Sequence, residues 1–134
     1  VKGAMASSAG TISGGIQRDP HNRKRFRLTE NDGKASETAY RVVRAFRGYS
    51  FVELRPKTGR THQLRVHLRA QRCPVLGDPL YSRKDPRFPD AEMMLHAYRL
   101  RMRLPGDSSP RRFTAPIPQH FRDMLATLRT EYSR

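Results

Sequence analysis

The chain is poor in cysteine, in acidic residues and in apolar residues, and each shortage excludes something. Cys73 is the only cysteine among 134 residues, so no disulfide can form within the chain. That suits a reducing compartment, and a cytoplasmic location (organellar or nuclear in a eukaryote) is expected. The one cysteine and five histidines never fall at finger spacing, so no structural zinc site is expected. No run of about 18 apolar residues exists, so no membrane span is expected, and no signal-peptide pattern opens the sequence. Hydrophobic residues make up 36%, below the roughly 45–50% usual for globular domains. That deficit leaves two readings: a small core with a large polar face, or half of a larger core. Acidic residues number 12 against 27 Lys and Arg, for a net charge of +15. Such a balance points to a polyanionic partner, nucleic acid first. Arginine outweighs lysine, and its planar fork suits phosphates and base edges. A solubilising basic surface and a patch for anionic lipid are the alternatives at this level. The length suits one domain and is short for two.

Turning to what is present, residues 1–15 are rich in Gly, Ala and Ser and read as a flexible leader or a surface loop. Asp19-Pro20 signals a turn, and Arg23, Lys24 and Arg25 after it are candidate phosphate contacts. Residues 34–46 alternate as a strand, with Thr38, Tyr40, Val42 and Phe46 assigned to one face. Arg47-Gly48-Tyr49 makes a turn into a second strand over 50–55, giving an antiparallel hairpin. Pro56 ends that strand. Gly59 is expected to take a positive φ, and Thr58 or Thr61 to cap a helix over about 61–71. Leu64 and Leu68 supply its apolar stripe, with Val66 less well placed. Residues 82–92 read as a loop and 94–104 as a strand. Residues 113–116 read as a short edge strand and 118–132 as a terminal helix. Strands followed by helices give the α+β class.

One stretch concentrates functional groups: Arg55-Pro56-Lys57-Thr58-Gly59-Arg60-Thr61-His62-Gln63-Leu64-Arg65-Val66-His67-Leu68. A strand, a turn and a helix N-terminus together favour an anion, because free amides and the helix dipole face the turn. Arg60 at that mouth and Arg65 one helical turn in are placed to hold a phosphate, or to pin a carboxylate by paired hydrogen bonds. Three enzyme templates fail. The Gly-Lys-Ser/Thr ending of a nucleotide phosphate loop is missing. His62 and His67 are five apart, on different helix faces, so no metal site is expected there. Cys73 reads as a buried thiol rather than a nucleophile. His62 reads as a hydrogen-bonding or RNA-facing residue, and Asp78 as turn chemistry. These residues by themselves indicate a basic α+β nucleic-acid-binding module with an anion or substrate pocket.

The stretch Leu54 to His67 closely resembles the late motif of the RluA/RluD-type RNA pseudouridine synthases. The likeness continues through Pro74-Val75-Leu76-Gly77-Asp78-Pro79-Leu80-Tyr81, Leu95-His96-Ala97-Tyr98-Arg99-Leu100 and Phe113-Thr114-Ala115-Pro116-Ile117-Pro118. Upstream, Gly10-Thr11-Ile12 and Arg18-Asp19-Pro20 followed by Arg23 fit the same family. The resemblance implies isomerisation of chosen uridines in ribosomal or transfer RNA, without cofactor or metal. It implies a mixed or antiparallel sheet with flanking helices, crossed by the active-site cleft. That family's catalytic aspartate lies in an Arg-Leu-Asp block, and Leu-Asp is absent from this sequence. The chain is therefore expected to be one unit over 1–134, the C-terminal half of a catalytic domain. Residues 1–22 would form its extended leader and basic turn. The N-terminal half would be a missing partner and the fragment alone inactive.

Carried onto this sequence, the resemblance makes Arg65 the partner of an aspartate outside the chain, which it would keep ionised and oriented. Leu64 would line the uracil pocket. Arg60, Thr61, His62 and Gln63 would meet RNA near a flipped base, with Arg23, Lys24 and Arg69 as further phosphate contacts. Arg72, then Cys73, stand where many relatives place a glycine after the helix, which leaves the shape of that helix end open. The alternative is a non-catalytic basic RNA-binding module derived from the same fold. A weaker one is a DNA-binding protein that lays the 61–71 helix in a groove.

Overall fold

A computed structural model describes residues 1–134. Its frame is the expected hairpin. Strand β3 (Lys34–Phe46) pairs antiparallel with β4 (Tyr49–Pro56), with Val42 opposite Val52 and Phe46 opposite Tyr49. A bulge between Val42 and Arg44 turns Val43 outward, where it stays 48% exposed. Bulges add local twist and re-aim the residues that follow. Here the bulge sends Phe46 and Tyr49 into one core cluster with Leu76 and Leu128.

The Gly/Ala/Ser-rich segment is not a free leader. Ala9–Arg18 forms β1, which pairs antiparallel with β3 and with a strand the sequence did not disclose, β2 (Phe26–Thr29). The four-stranded sheet runs β2-β1-β3-β4. Ile12 and Ile16 bury from β1 into the core. The small residues serve close approach: a Cβ on Gly15 would stand 1.6 Å from the Asp32 carbonyl oxygen. The first residues are tied as well, since the Lys2 amide donates to the Pro74 carbonyl and the Gly3 amide to that of Gly48. Between β1 and β2 the chain turns as Asp19-Pro20 indicates, with Asp19 Oδ1 accepting the His21 amide at 2.8 Å.

Helix α1 (Gln63–Ala70) is shorter than expected and packs differently. Val66 is 3% exposed and sits with Ile16 and Tyr81, whereas Leu64 is only half-buried. No side chain caps the helix, and the residue before it, His62, holds φ at 54°. Gly59 has no positive φ and open space where a Cβ would stand. Thr58 is engaged elsewhere, as described below.

At the other end Arg72 adopts a φ of 60°, and the Cys73 amide reaches back to the Leu68 carbonyl at 3.0 Å. This is the left-handed closure that glycine usually supplies. A non-glycine residue pays roughly 1 kcal/mol there. Arg72→Gly is therefore expected to raise stability by about 1 kcal/mol, a gain of about 4 °C in Tm by thermal denaturation. An unchanged or lower Tm would show that Arg72 is held there by contacts that repay the strain.

The expected strand over 94–104 survives only as β5 (Arg99–Met102), paired antiparallel with β6 (Arg111–Thr114) in a separate two-stranded ribbon. All eight strand residues are exposed, Leu100 and Phe113 included. Upstream, Met94 is spent on packing: its amide bonds the Leu76 carbonyl at 2.8 Å and its side chain lies on the Phe46 cluster. The terminal helix α2 (Gln119–Glu131) follows Pro118 and buries Leu125 and Leu128. Cys73 is buried and free, and burial raises its thiol pKa above the ordinary value. The antiparallel sheets and two helices bear out the α+β expectation. No helix is long and apolar enough to cross a membrane.

Candidate functional site

The site grows from the link between β4 and α1. Gln63 is 4% exposed and makes four hydrogen bonds. Its Nε2 donates to the Glu37 carbonyl and to Thr38 Oγ1, both at 3.0 Å. Its Oε1 accepts from Thr58 Oγ1 at 2.6 Å and from the Arg60 amide at 3.0 Å. The amide's capacity is used up. Gln63 is thus a clamp fixing the turn against β3 and is not available to RNA, contrary to the sequence expectation. Burial of an amide is tolerated because every bond is satisfied.

The clamp presents Arg60 and Thr61 outward, both exposed. Arg60 Nε donates to the Ala35 carbonyl at 2.9 Å. Arg60 and Thr61 line a cleft of about 380 Å³ with Arg18, Lys34, Ile16 and Phe26. Three cations around one cleft, with no carboxylate in its lining, make an anion-attracting surface. Arg23 and Lys24 are exposed on the neighbouring β1–β2 turn, where the Arg23 carbonyl accepts from the Arg18 guanidinium. Arg69 is exposed on α1 and lines no part of this cleft.

Behind the turn lies a second group. Arg65 donates from Nε and Nη2 to the two carboxylate oxygens of Asp78, each at 2.7 Å. The Asp78 side chain is fully buried and that of Arg65 is 16% exposed. Asp78 Oδ1 also accepts the amides of Leu80 at 2.9 Å and Tyr81 at 3.1 Å. Asp78 therefore does the turn chemistry read from the sequence and anchors a guanidinium as well. The expectation that an aspartate outside the chain is the partner of Arg65 is corrected to this extent: two of its three nitrogens are taken by Asp78. Nη1 makes no hydrogen bond and is left for another acceptor. Gly77 explains the approach, because at its φ of 80° a Cβ would lie 2.2 Å from the Glu92 carbonyl oxygen.

Tyr81 closes the group. Its ring lies under the Arg65 guanidinium, 4.9 Å from centroid to Cζ. Its hydroxyl accepts the Phe26 amide at 2.8 Å and lies 2.7 Å from His62 Nδ1. His62 stands edge-on to Phe26 and Tyr81, at 5.7 and 5.4 Å between centroids. Sequence reasoning missed Tyr81, Phe26 and the anchoring role of Asp78. The Gly77-Asp78-Pro79-Leu80-Tyr81 block was the available signal, since it holds a carboxylate and a phenol three residues apart.

Electrostatics follow from these contacts. Burial alone would raise the Asp78 carboxyl; the Arg65 bonds and the two amides outweigh it and hold it below 3.8. Asp78 raises the Arg65 pKa, so the pair stays ionised. Burial and then the Arg65 charge lower the His62 pKa below 6.5, against an opposing pull from Asp78. His67 lies within α1 and is wholly buried. Ser36 Oγ donates to the Gly14 carbonyl at 2.7 Å, so His67 Nε2, 2.8 Å away, must donate to Ser36. Nδ1 has no partner. Protonation would place an unpaired N–H in the core, and burial lowers the His67 pKa below 6.5.

Both histidines act on stability with the same sign. Below about pH 6.5 the unfolded chain binds more protons than the fold. The unfolding free energy from urea titrations is expected to drop from pH 7.5 to pH 5.5, by up to about 1.4 kcal/mol per pH unit per histidine. A flat profile over that range would mean that His67 is protonated without cost.

Residues 1–70 match the family model described as RNA pseudouridylate synthase. The chain is 43% identical over 121 residues to ribosomal large subunit pseudouridine synthase D of Borreliella burgdorferi, covering 90% of this chain and 37% of that protein. It is 37% identical over 134 residues to the protein of that name from Neisseria meningitidis serogroup A, covering 91% and 35%. The chain thus spans little more than a third of these relatives. Among solved structures, human RNA pseudouridylate synthase domain containing 1 superposes with a TM-score of 0.72 at 29% identity, over 99% of this chain and 64% of that one. Human RNA pseudouridylate synthase domain containing 4 gives 0.70 at 26%, over 96% and 59%. With a family model spanning just over half its residues and the same fold in both solved relatives, the chain belongs to the RNA pseudouridylate synthase family.

Proposed function

We propose that the chain is the C-terminal half of a catalytic domain that isomerises uridine in large-subunit ribosomal RNA. The observation that carries this is Arg65: ionised, clamped on two nitrogens, and open on the third. Turning uridine into pseudouridine breaks the C1′–N1 bond and forms a C1′–C5 bond, while C5 gives up its proton and N1 ends protonated. The detached base must be held while it turns. A carboxylate supplied from the other half of the domain would accept from Arg65 Nη1, which would keep it charged and aimed. Asp78 is committed elsewhere, because it is fully buried and both of its oxygens are bonded to Arg65 or to the turn amides. Leu64, half-buried and next to Arg65 on α1, would wall the uracil pocket. Arg60 and Thr61 at the cleft, with His62 next to them in the chain, would meet the RNA backbone, with Arg23 and Lys24 on the adjoining turn. Arg69 would contact phosphate farther along the strand.

Binding of structured ribosomal RNA tests the RNA-facing part. Affinity is expected to fall with salt at a log–log slope of about −0.7 per phosphate contact, and to exceed that for duplex DNA at equal salt. A preference for duplex DNA would favour the groove-binding alternative. Pseudouridine formation by the longer protein carrying this chain tests the catalytic part. Binding without product would leave a non-catalytic RNA-binding module.

A further inference from the structure

We infer that Tyr81 is a positioning residue with two separable functions: its hydroxyl fixes the tautomer of His62, and its ring fixes the plane of Arg65. The inference rests on the reading above, in which His62 meets RNA and Arg65 meets the reacting centre.

The hydroxyl is argued from hydrogen counting. Tyr81 oxygen already accepts the Phe26 amide, and its own proton has one neighbour within reach, His62 Nδ1 at 2.7 Å. Donation to Nδ1 puts the imidazole proton on Nε2. Nε2 makes no bond within the chain, so it is the donor His62 can offer outward. Without the phenol, nothing selects that tautomer. The backbone reinforces the point, because His62 holds a φ of 54° that few residues adopt and that is commonly kept at working sites.

The ring is argued from the guanidinium. Asp78 fixes one edge of Arg65 in the plane, but two in-plane bonds leave the fork free to tilt about the line that joins them. The Arg65 Cζ lies over the ring of Tyr81, which is 4% exposed, at 4.9 Å from its centroid, and this contact restricts that tilt. The backbone of Tyr81 is itself held by Asp78, which accepts the Tyr81 amide at 3.1 Å. One turn therefore supplies the anion that pairs with Arg65 and the ring on which its guanidinium rests.

Two variants separate the functions. Tyr81→Phe keeps the ring and removes the hydroxyl; Tyr81→Leu removes both. In the longer protein, Tyr81→Phe is expected to raise KM for RNA about tenfold with kcat changed less than twofold, as loss of one oriented hydrogen bond implies. Tyr81→Leu is expected to lower kcat about a hundredfold as well, the usual penalty for a misplaced group. In a His62→Ala background, Tyr81→Phe should change KM no further. A general packing role would instead move both constants together in both variants, and additivity with His62→Ala would overturn the link through His62. Nitrogen NMR of the unsubstituted protein decides the tautomer without any assay: a His62 proton on Nε2 is expected, and one on Nδ1 overturns the inference even if a variant does not fold. Absence of pseudouridine formation by the unsubstituted protein would count against the proposed function alone, since the ring-proton measurement still stands.

Discussion

Asp78→Ala is expected to cost the fold about 3–5 kcal/mol, the loss seen when one partner of a buried ion pair is removed. The carboxylate is fully buried and accepts from Arg65 twice and from two turn amides. Its removal strands the largely buried Arg65 guanidinium and frees the Gly77 turn at once. Against a typical domain stability of about 5–15 kcal/mol, most of the reserve would go. Asp78→Asn keeps an acceptor for the amides and should cost less. Urea unfolding of both variants provides the measurement, and a loss under about 1 kcal/mol for Asp78→Ala would mean that the pair contributes little. The pH sign is the same as that of the histidines, but the loss comes at lower pH. Asp78 has a folded pKa below 3.8, so its contribution is complete above that value and is lost as pH falls through the folded pKa. Asp78→Asn should remove this acid limb and leave the decline below pH 6.5.

Arg65→Lys is the second large effect, and it falls on turnover. Lysine keeps the charge but is a compact point donor; it cannot make two parallel bonds to Asp78 and still face a second carboxylate. In the longer protein, kcat should fall at least about a hundredfold while RNA affinity stays within about threefold. Arg60→Ala is the contrast. Arg60 lies exposed at the cleft, so its loss should weaken RNA binding and reduce the salt slope by about 0.7. If Arg65→Lys instead weakens binding like Arg60→Ala and keeps full turnover at saturation, Arg65 is one more phosphate contact. Lysine is preferred to alanine here because Arg65→Ala would leave Asp78 charged, buried and unpaired.

What the sequence disclosed and what it hid have separate physical reasons. The β3–β4 hairpin was legible because alternation over 34–46 is long and its turn holds Gly48. The terminal helix was legible from its stripe of Phe121, Leu125 and Leu128. β1 was hidden because Gly14 and Gly15 serve close backbone approach, and composition alone makes such residues look flexible. β2 is four residues long, between a basic run (Arg23-Lys24-Arg25) and a polar turn (Glu30-Asn31-Asp32-Gly33), so no period shows. The strand over 94–104 was overextended because Met94 packs on a core from another part of the chain.

At the site, local pattern named Arg60, Thr61, His62 and Arg65 but assigned Gln63 the wrong environment. An amide beside basic residues looks RNA-facing; only the fold shows that β3 supplies the carbonyl and hydroxyl that saturate it. Likewise, the separation of 13 positions between Arg65 and Asp78 conceals a bidentate pair that no helical or strand period predicts. The positive φ moved from Gly59 to His62 for a related reason: Gln63 pins the amide of Arg60, and the chain must reverse after that point.

The most direct test is single-turnover pseudouridine formation in large-subunit ribosomal RNA by the longer protein, at saturating enzyme and low salt. Product from the unsubstituted protein, with its rate collapsing for Arg65→Lys while RNA remains bound, is the expected result. Salt-sensitive RNA binding by the unsubstituted protein with no pseudouridine formed would contradict the role given to Arg65 and reduce the chain to a binding surface.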